Sequence, residues 1–192
     1  MGRIVVSEFV SLDGVMEDPG GAEDFQYGGW TFEFDRGEGD EFKIEEARET
    51  DALLLGRKTY EGFAAAWPSR EGEFADTINS MPKYVVSSTL REPGWSNSIV
   101  LEGEVAEEAA KLRAATRGNV VVHGSAQLVQ ALLEHDLVDE LRLMVFPVLL
   151  GSGKRLFAAT SEKKPMRLRS AKPVGDGITI LTYEPVGQPA AA

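Results

Sequence analysis

The sequence predicts an α/β domain whose central sheet is mainly parallel, with helices on both faces and an antiparallel hairpin at its C-terminal end. Three observations predict it. Strand-like runs alternate with segments of helical spacing along most of the chain, as parallel sheets require because each crossover carries a helix. Residues 51–55, Asp-Ala-Leu-Leu-Leu, are continuously apolar after Asp51 and end at Gly56, the pattern of a strand buried on both faces. Near the end, residues 166–174 and 178–184 flank Gly175-Asp176-Gly177, a turn signal for a hairpin.

In chain order, residues 3–11 read as a strand that Leu12-Asp13-Gly14 breaks into a turn. Residues 17–39 show little periodicity. They are rich in Gly, Asp and Glu yet carry Phe25, Tyr27, Trp30, Phe32 and Phe34. Such a stretch is either a binding loop or a lobe that its aromatics pack onto the core. Residues 40–50 have helical spacing, with Phe42, Ile44 and Ala47 on roughly one side, and a second helix at 58–66 ends at Pro68. A strand at 83–87, a loop through Pro93-Gly94-Trp95 and a short strand at 98–101 follow. Next come a helix at 105–116, a strand at 119–123, a helix at 126–135 and a strand at 141–148. A chain of 192 residues buries one sizeable core, so residues 1–185 are read as one domain and residues 186–192 as a disordered tail.

The formal net charge of −11 and the scattered cations argue against a nucleic-acid surface. They leave room for an anionic cofactor held by a few local donors. With no cysteine, and His123 and His135 as the two histidines, no metal site is expected. No run reaches the roughly 20 apolar residues of a spanning helix. Ser7 and Glu8 also interrupt the first apolar run too early for a signal sequence, so a cytoplasmic location without membrane partners is expected. Neither a Gly-x-Ser-x-Gly elbow nor a Walker loop occurs, and no full Gly-x-Gly-x-x-Gly fingerprint does.

Ligands of open α/β sheets bind beyond the carboxyl ends of the strands, and three such junctions carry phosphate-binding residue types. Gly56-Arg57-Lys58-Thr59 combines a bend, two cations and a hydroxyl at a helix start. Ser87-Ser88-Thr89 follows a buried strand, with Arg91 close behind. His123-Gly124-Ser125-Ala126-Gln127 opens another helix. Each junction also suits an ordinary strand or helix end. Together they reinforce one another, because this topology brings the strand ends to one edge.

Four segments occur in order: Ser11-Leu12-Asp13-Gly14, Leu55-Gly56-Arg57-Lys58-Thr59-Tyr60, Val86-Ser87-Ser88, and Val138-Asp139-Glu140-Leu141 through Pro147 to Leu150-Gly151-Ser152-Gly153. In these the chain resembles the dihydrofolate reductase superfamily, more particularly the reductase domain of riboflavin biosynthesis (the RibD C-terminal domain) and its stand-alone relatives. The resemblance covers roughly residues 3–184. It implies a three-layer dihydrofolate reductase-like sandwich that binds NADPH and reduces a small substrate by hydride transfer. The substrate it implies is a pterin-like heterocycle or an aminouracil ribosyl phosphate, and the alternative is a ligand-binding protein that keeps the fold without the reaction. Residue by residue, it places Gly56, Arg57, Lys58 and Thr59 at cofactor phosphate, with Arg57 toward the 2′-phosphate. Ser87 and Ser88 face the adenosine ribose phosphate. Gly124, Ser125, Ala126 and Gln127 form the turn beside the pyrophosphate and nicotinamide, where His123 replaces the first of the family's frequent pair of glycines.

Reduction of a C=N or C=O bond also needs a proton. Asp40 falls, by the resemblance, where dihydrofolate reductases place their substrate carboxylate; its position equally suits a helix start. Asp13 matches a turn bordering substrate and nicotinamide, and Asp-Gly is also simply a good turn. Trp30 and Phe34 are candidates to stack on a flat heterocycle. His123 reads as a strand-end histidine or a proton donor, and His135 as a helix C-terminal residue. The apolar run at 141–150 exceeds what one face of an edge strand shows to water, so a homodimer is expected.

Overall fold

The computed structural model describes residues 1–187, so residues 188–192 of the expected tail lie outside the described residues. Eight strands form one sheet: β1 (Arg3–Ser11), β2 (Thr50–Gly56), β3 (Lys83–Val86), β4 (Ser98–Leu101), β5 (Asn119–Val122), β6 (Glu140–Phe146), β7 (Met166–Val174) and β8 (Ile178–Pro185). Their order is β4-β3-β2-β5-β1-β6-β8-β7. The pairs from β4 to β6 are parallel, and β8 runs antiparallel to both β6 and β7. Among the described residues there are five α-helices, α1 (Gly39–Arg48), α2 (Arg57–Ala66), α3 (Glu73–Ser80), α4 (Val105–Ala115) and α5 (Ala126–Glu134), and one short 3-10 turn. This is the expected mixed α/β sheet closed by a hairpin.

The two-residue period of the strands sorts the core into layers. Ile4 and Val6 of β1 point to the face covered by α4 and α5, where they meet Ala109, Leu112, Leu128 and Leu132. Val5 points to the other face, with Leu53, Leu55 and Val121 beneath Tyr60 of α2 and Ile78 of α3. Farther along that face, Trp30, Met144, Phe146 and Ile180 form a third cluster with Phe9, Phe34 and Phe42 packed against it. Full burial of such a side chain stabilises by about 1.5–3 kcal/mol.

The sequence reading misses α3. Phe74 and Ile78 stand one turn apart, but a helix of eight residues, set between Gly72 and Pro82, gives a weak periodic signal. A buried lysine ties the helix down: Lys83 Nζ donates to the carbonyls of Asn79, Met81 and Ser96 and sits 4.2 Å over the Trp95 ring. The edge-strand argument for a dimer also needs correction. β6 is not an edge, because β1 and β8 flank it and most of its residues are buried within the subunit. The hairpin edge is β7, an exposed strand bearing Arg167, Arg169, Lys172 and Pro173, the residue types that discourage strand addition.

Register opens a fork beside β1. β1 pairs with β5 from Arg3 to Val6, but with β6 from Val5 to Ser11. Past Val6 and Val122 the two chains part, and Ser7 and Glu8 line the gap. Asp139 fixes the other end of β1 by accepting the Ile4 N–H at 2.8 Å and pairing with Arg113, so this part of the Asp-Glu-Leu segment is architectural.

The residues 17–39 form an ordered lobe built around one carboxylate. Asp18 is buried, and its side chain accepts the N–H groups of Ala22 and Phe25 while its carbonyl accepts those of Gly21 and Gly29. Trp30 Nε1 donates to Glu17 O at 2.8 Å and Thr31 Oγ1 to Pro19 O at 2.7 Å. A short 3-10 turn, Trp30–Glu33, closes the lobe onto β6.

Candidate functional site

Two of the three junctions come together as one unit. Gly124 and Ser125 adopt consecutive left-handed conformations, with φ of 60° and 59°. The Ser125 N–H and hydroxyl both donate to Thr59 Oγ1 at 2.9 Å, and Ser125 Oγ accepts the Gly56 N–H at 2.9 Å. The starts of α2 and α5 are thereby locked side by side. A β-carbon on Gly124 would sit 2.8 Å from Thr59 Cγ2, so this close approach requires glycine as well as the positive φ.

The electrostatics distinguish these two helix starts from the others. α1, α3 and α4 carry acidic residues in their first turns, where the helix dipole favours them, whereas α2 and α5 carry none. In a chain of net charge −11, α2 instead opens with exposed Arg57 and Lys58. Two cations at the positive end of a helix are unfavourable unless an anion offsets them. Arg57 has one weak partner, Glu61 at 3.5 Å, and Lys58 helps lower the Glu17 carboxyl after larger effects from Lys154. The residues present therefore fit a phosphate-bearing cofactor. The third junction is less open: Ser87 Oγ accepts the Thr89 and Leu90 N–H groups, while Ser88 is exposed. Gln127 is exposed and Ala126 half-buried at the α5 start.

At the fork sits a polar cluster that the sequence reading does not anticipate. Ser7 Oγ, Lys43 Nζ and Glu46 Oε2 touch one another at 2.8–2.9 Å. His123 Nδ1 lies 2.8 Å from Ser7 O. Because that partner is a carbonyl, Nδ1 carries the hydrogen, and Nε2 faces Glu46 Oε1 at 4.0 Å. Burial, helped by the Lys43 cation, pushes the imidazole down to about 4 from 6.5, so His123 is neutral at neutral pH. Burial pushes Glu46 up, but the Lys43 cation and the Lys43 and Ser7 hydrogen bonds leave this carboxyl below its ordinary range.

Glu8 is the opposite case. It is buried on β1, and its Oε2 accepts the Gly124 N–H at 2.9 Å. Burial raises its carboxyl well above the usual range despite that bond and Lys43. Carboxyls driven apart in this way divide acid from base roles. The signal open to sequence reading was one charged residue on an otherwise apolar strand face, Glu8 in line with Ile4, Val6 and Val10 of β1.

The acids expected to deliver a proton lie elsewhere. Asp40 stands exposed in the first turn of α1, its Oδ1 3.1 Å from Arg36 Nη1, so it takes the position of a helix-start acid. Asp13 knits two motifs together: it accepts the Ser11 hydroxyl at 2.6 Å and the Leu150 and Gly151 N–H groups at 3.2 and 2.9 Å. The Ser11 bond, then those backbone groups, lower its carboxyl from 3.8 to about 2, which holds it as an anchor rather than a proton source. A folded-state value below the unfolded one stabilises at higher pH, and that contribution is lost as pH falls from 3.8 to about 2. Urea midpoints measured across that window are expected to fall less steeply for Asp13→Asn than for the parent chain. Trp30 is also corrected: at 1% exposure, edge-on to Phe146 and bonded through its indole N–H, it has no free face for a heterocycle. Phe34 is half-buried at the same cluster, 5.8 Å from Phe146. His135 follows α5 as its C-cap. No helix among the described residues is long and apolar enough to cross a membrane.

Comparison with known proteins agrees with this architecture. The chain is 27% identical over 186 residues to the uncharacterised protein YyaP of Bacillus subtilis strain 168, covering 94% of both chains. It superposes on a crystal structure from Shewanella sp. PV-4, assigned provisionally to riboflavin biosynthesis, with a TM-score of 0.74, 24% identity and coverage of 95% of this chain and 98% of that one. On the NADP(H) complex of dihydrofolate reductase from Enterococcus faecalis the TM-score is 0.58, with 14% identity and 96% of each chain covered. At these identities the two superpositions establish the fold, which is of the reductase type. The family model of the RibD C-terminal domain matches residues 3–180, and the chain belongs to that family.

Proposed function

We propose that the protein is an NADPH-dependent reductase that transfers a hydride to a small heterocycle, pterin-like or an aminouracil ribosyl phosphate. The observation that carries this reading is the stitched pair of helix starts, free of acids and bearing Arg57 and Lys58, in a chain whose other α-helices begin with acids. Bound NADPH supplies the hydride. Gly56, Arg57, Lys58 and Thr59 hold its phosphates from one side, Gly124, Ser125, Ala126 and Gln127 from the other, and Ser88 with Ser87 lies toward the adenosine end. The reacting heterocycle occupies the α1 side of the fork, near Phe34, His123 and Lys43. Oligomerisation as a homodimer and a cytoplasmic location accompany this reading.

The test is a titration with NADPH and NADH, read by nucleotide fluorescence and melting temperature, for the parent chain and Arg57→Ala. Ligand at 100 times its dissociation constant adds about 2.7 kcal/mol of stability. NADPH is expected to bind in preference to NADH, and the preference to shrink in Arg57→Ala, since one charge-assisted hydrogen bond contributes about 1.5–3 kcal/mol. If neither nucleotide binds, the reductase reading fails and a ligand-binding protein of the same fold replaces it.

A further inference from the structure

Glu8 presents a chemical puzzle at the fork. One carboxyl oxygen, Oε2, accepts the Gly124 N–H at 2.9 Å, while the other, Oε1, is buried without a hydrogen-bond partner. Leaving a buried polar atom unpaired costs about 1–3 kcal/mol, so such an atom asks for an explanation. The oxygen that accepts an N–H has no hydrogen of its own. In its acid form Glu8 therefore carries its hydrogen on Oε1, as a donor with no acceptor among the described residues.

Charge decides which part of a dinucleotide belongs there. Arg57 and Lys58, two exposed cations at the acid-free start of α2, draw the phosphates to that side. Around the fork, Lys43 is already paired with Glu46, and His123 is neutral beside it. The ionised Glu46 disfavours phosphate here, and the protonated Glu8 beside it suits an uncharged, oxygen-bearing group. Resting on the reductase reading, we propose that Glu8 reads the carboxamide of the nicotinamide. Oε1 donates to the amide oxygen, and Oε2 keeps the Gly124–Ser125 turn in the conformation that brings the ring there. The role is one of recognition and positioning, with no proton transferred.

The experiment compares two ligands and two variants. NADPH carries the nicotinamide amide; 2′-phospho-ADP-ribose keeps the phosphates and adenosine but lacks it. Glu8→Gln preserves an acceptor for Gly124 and an N–H donor at the other position, whereas Glu8→Leu preserves neither. Dissociation constants are measured by calorimetry, and amide hydrogen exchange of residues 123–127 is followed without ligand. Glu8→Leu is expected to accelerate exchange at Gly124 and to weaken both ligands, with NADPH losing about tenfold more than 2′-phospho-ADP-ribose, the equivalent of one hydrogen bond. Glu8→Gln is expected to bind both ligands like the parent. Unchanged NADPH affinity in Glu8→Leu, equal loss of both ligands, or a Gln variant as weak as the Leu variant each overturns the assignment. Failure of the parent chain to bind either ligand defeats the reductase reading itself, an outcome visible before any variant is compared.

Discussion

Replacing Gly124 with alanine is expected to abolish nucleotide binding and to lower stability by about 1–3 kcal/mol. Two effects add. Gly124 holds φ at 60°, where a β-carbon is disfavoured, and that carbon would lie 2.8 Å from Thr59 Cγ2 and 3.0 Å from Thr59 Oγ1. Relief requires Thr59 to move. Thr59 Oγ1 accepts both donors of Ser125, and Ser125 in turn accepts the Gly56 N–H, so the displacement reaches the starts of both helices. Thr59→Ser separates the two effects, because it retains the hydroxyl and removes the methyl that collides. In the Gly124→Ala background it is expected to recover part of the binding while the backbone cost remains. Urea denaturation gives the stability change and nucleotide fluorescence the affinity. Binding by Gly124→Ala equal to that of the parent would show that the turn is not part of the nucleotide site.

Trp30→Ala is expected to produce the largest loss of stability, about 3–5 kcal/mol. The ring is 1% exposed, packs edge-on against Phe146 at 5.3 Å and donates its indole N–H to Glu17 O. Alanine removes that packing and leaves the Glu17 carbonyl without its partner. For a chain of this length the loss corresponds to a fall in melting temperature of about 6–20 °C. Trp30→Phe keeps the apolar contact and loses the indole bond, so an intermediate loss is expected. A substrate-stacking tryptophan gives the contrary result, with stability nearly unchanged and substrate affinity reduced.

Much of the fold was legible because its signals are local and redundant. The strand from 51 to 55 announces itself by being apolar on both faces, and the final hairpin by Gly175-Asp176-Gly177 between two strand-like runs. The strand-to-helix junctions proposed to hold the cofactor were legible as local patterns for a related reason, since glycine, hydroxyls and cations at such a bend are adjacent in sequence. The fork cluster was not. Ser7, Lys43, Glu46 and His123 come from three distant segments, and the register that joins them, in which β1 leaves β5 after Val6, is a property of the assembled sheet. Trp30 misled for the opposite reason: an aromatic in an acidic, glycine-rich stretch reads the same whether it faces a ligand or the core. The supposed edge strand failed because sheet order decides what covers β6, and β8, some 30 residues later, supplies that cover.

The Asp18-centred lobe bears on selectivity. A loop that stays loose until a ligand arrives charges its ordering entropy, about 1–2 kcal/mol for each residue fixed, against binding. Here that entropy is lost once, during folding, because backbone bonds to Asp18 and the buried Trp30 already hold residues 17–39 in place. Under the proposed reading, a heterocycle beside Phe34 meets a wall of settled shape. Affinity then follows complementarity to that wall, and closely related heterocycles are separated by steric fit rather than by how far the wall can remould around them.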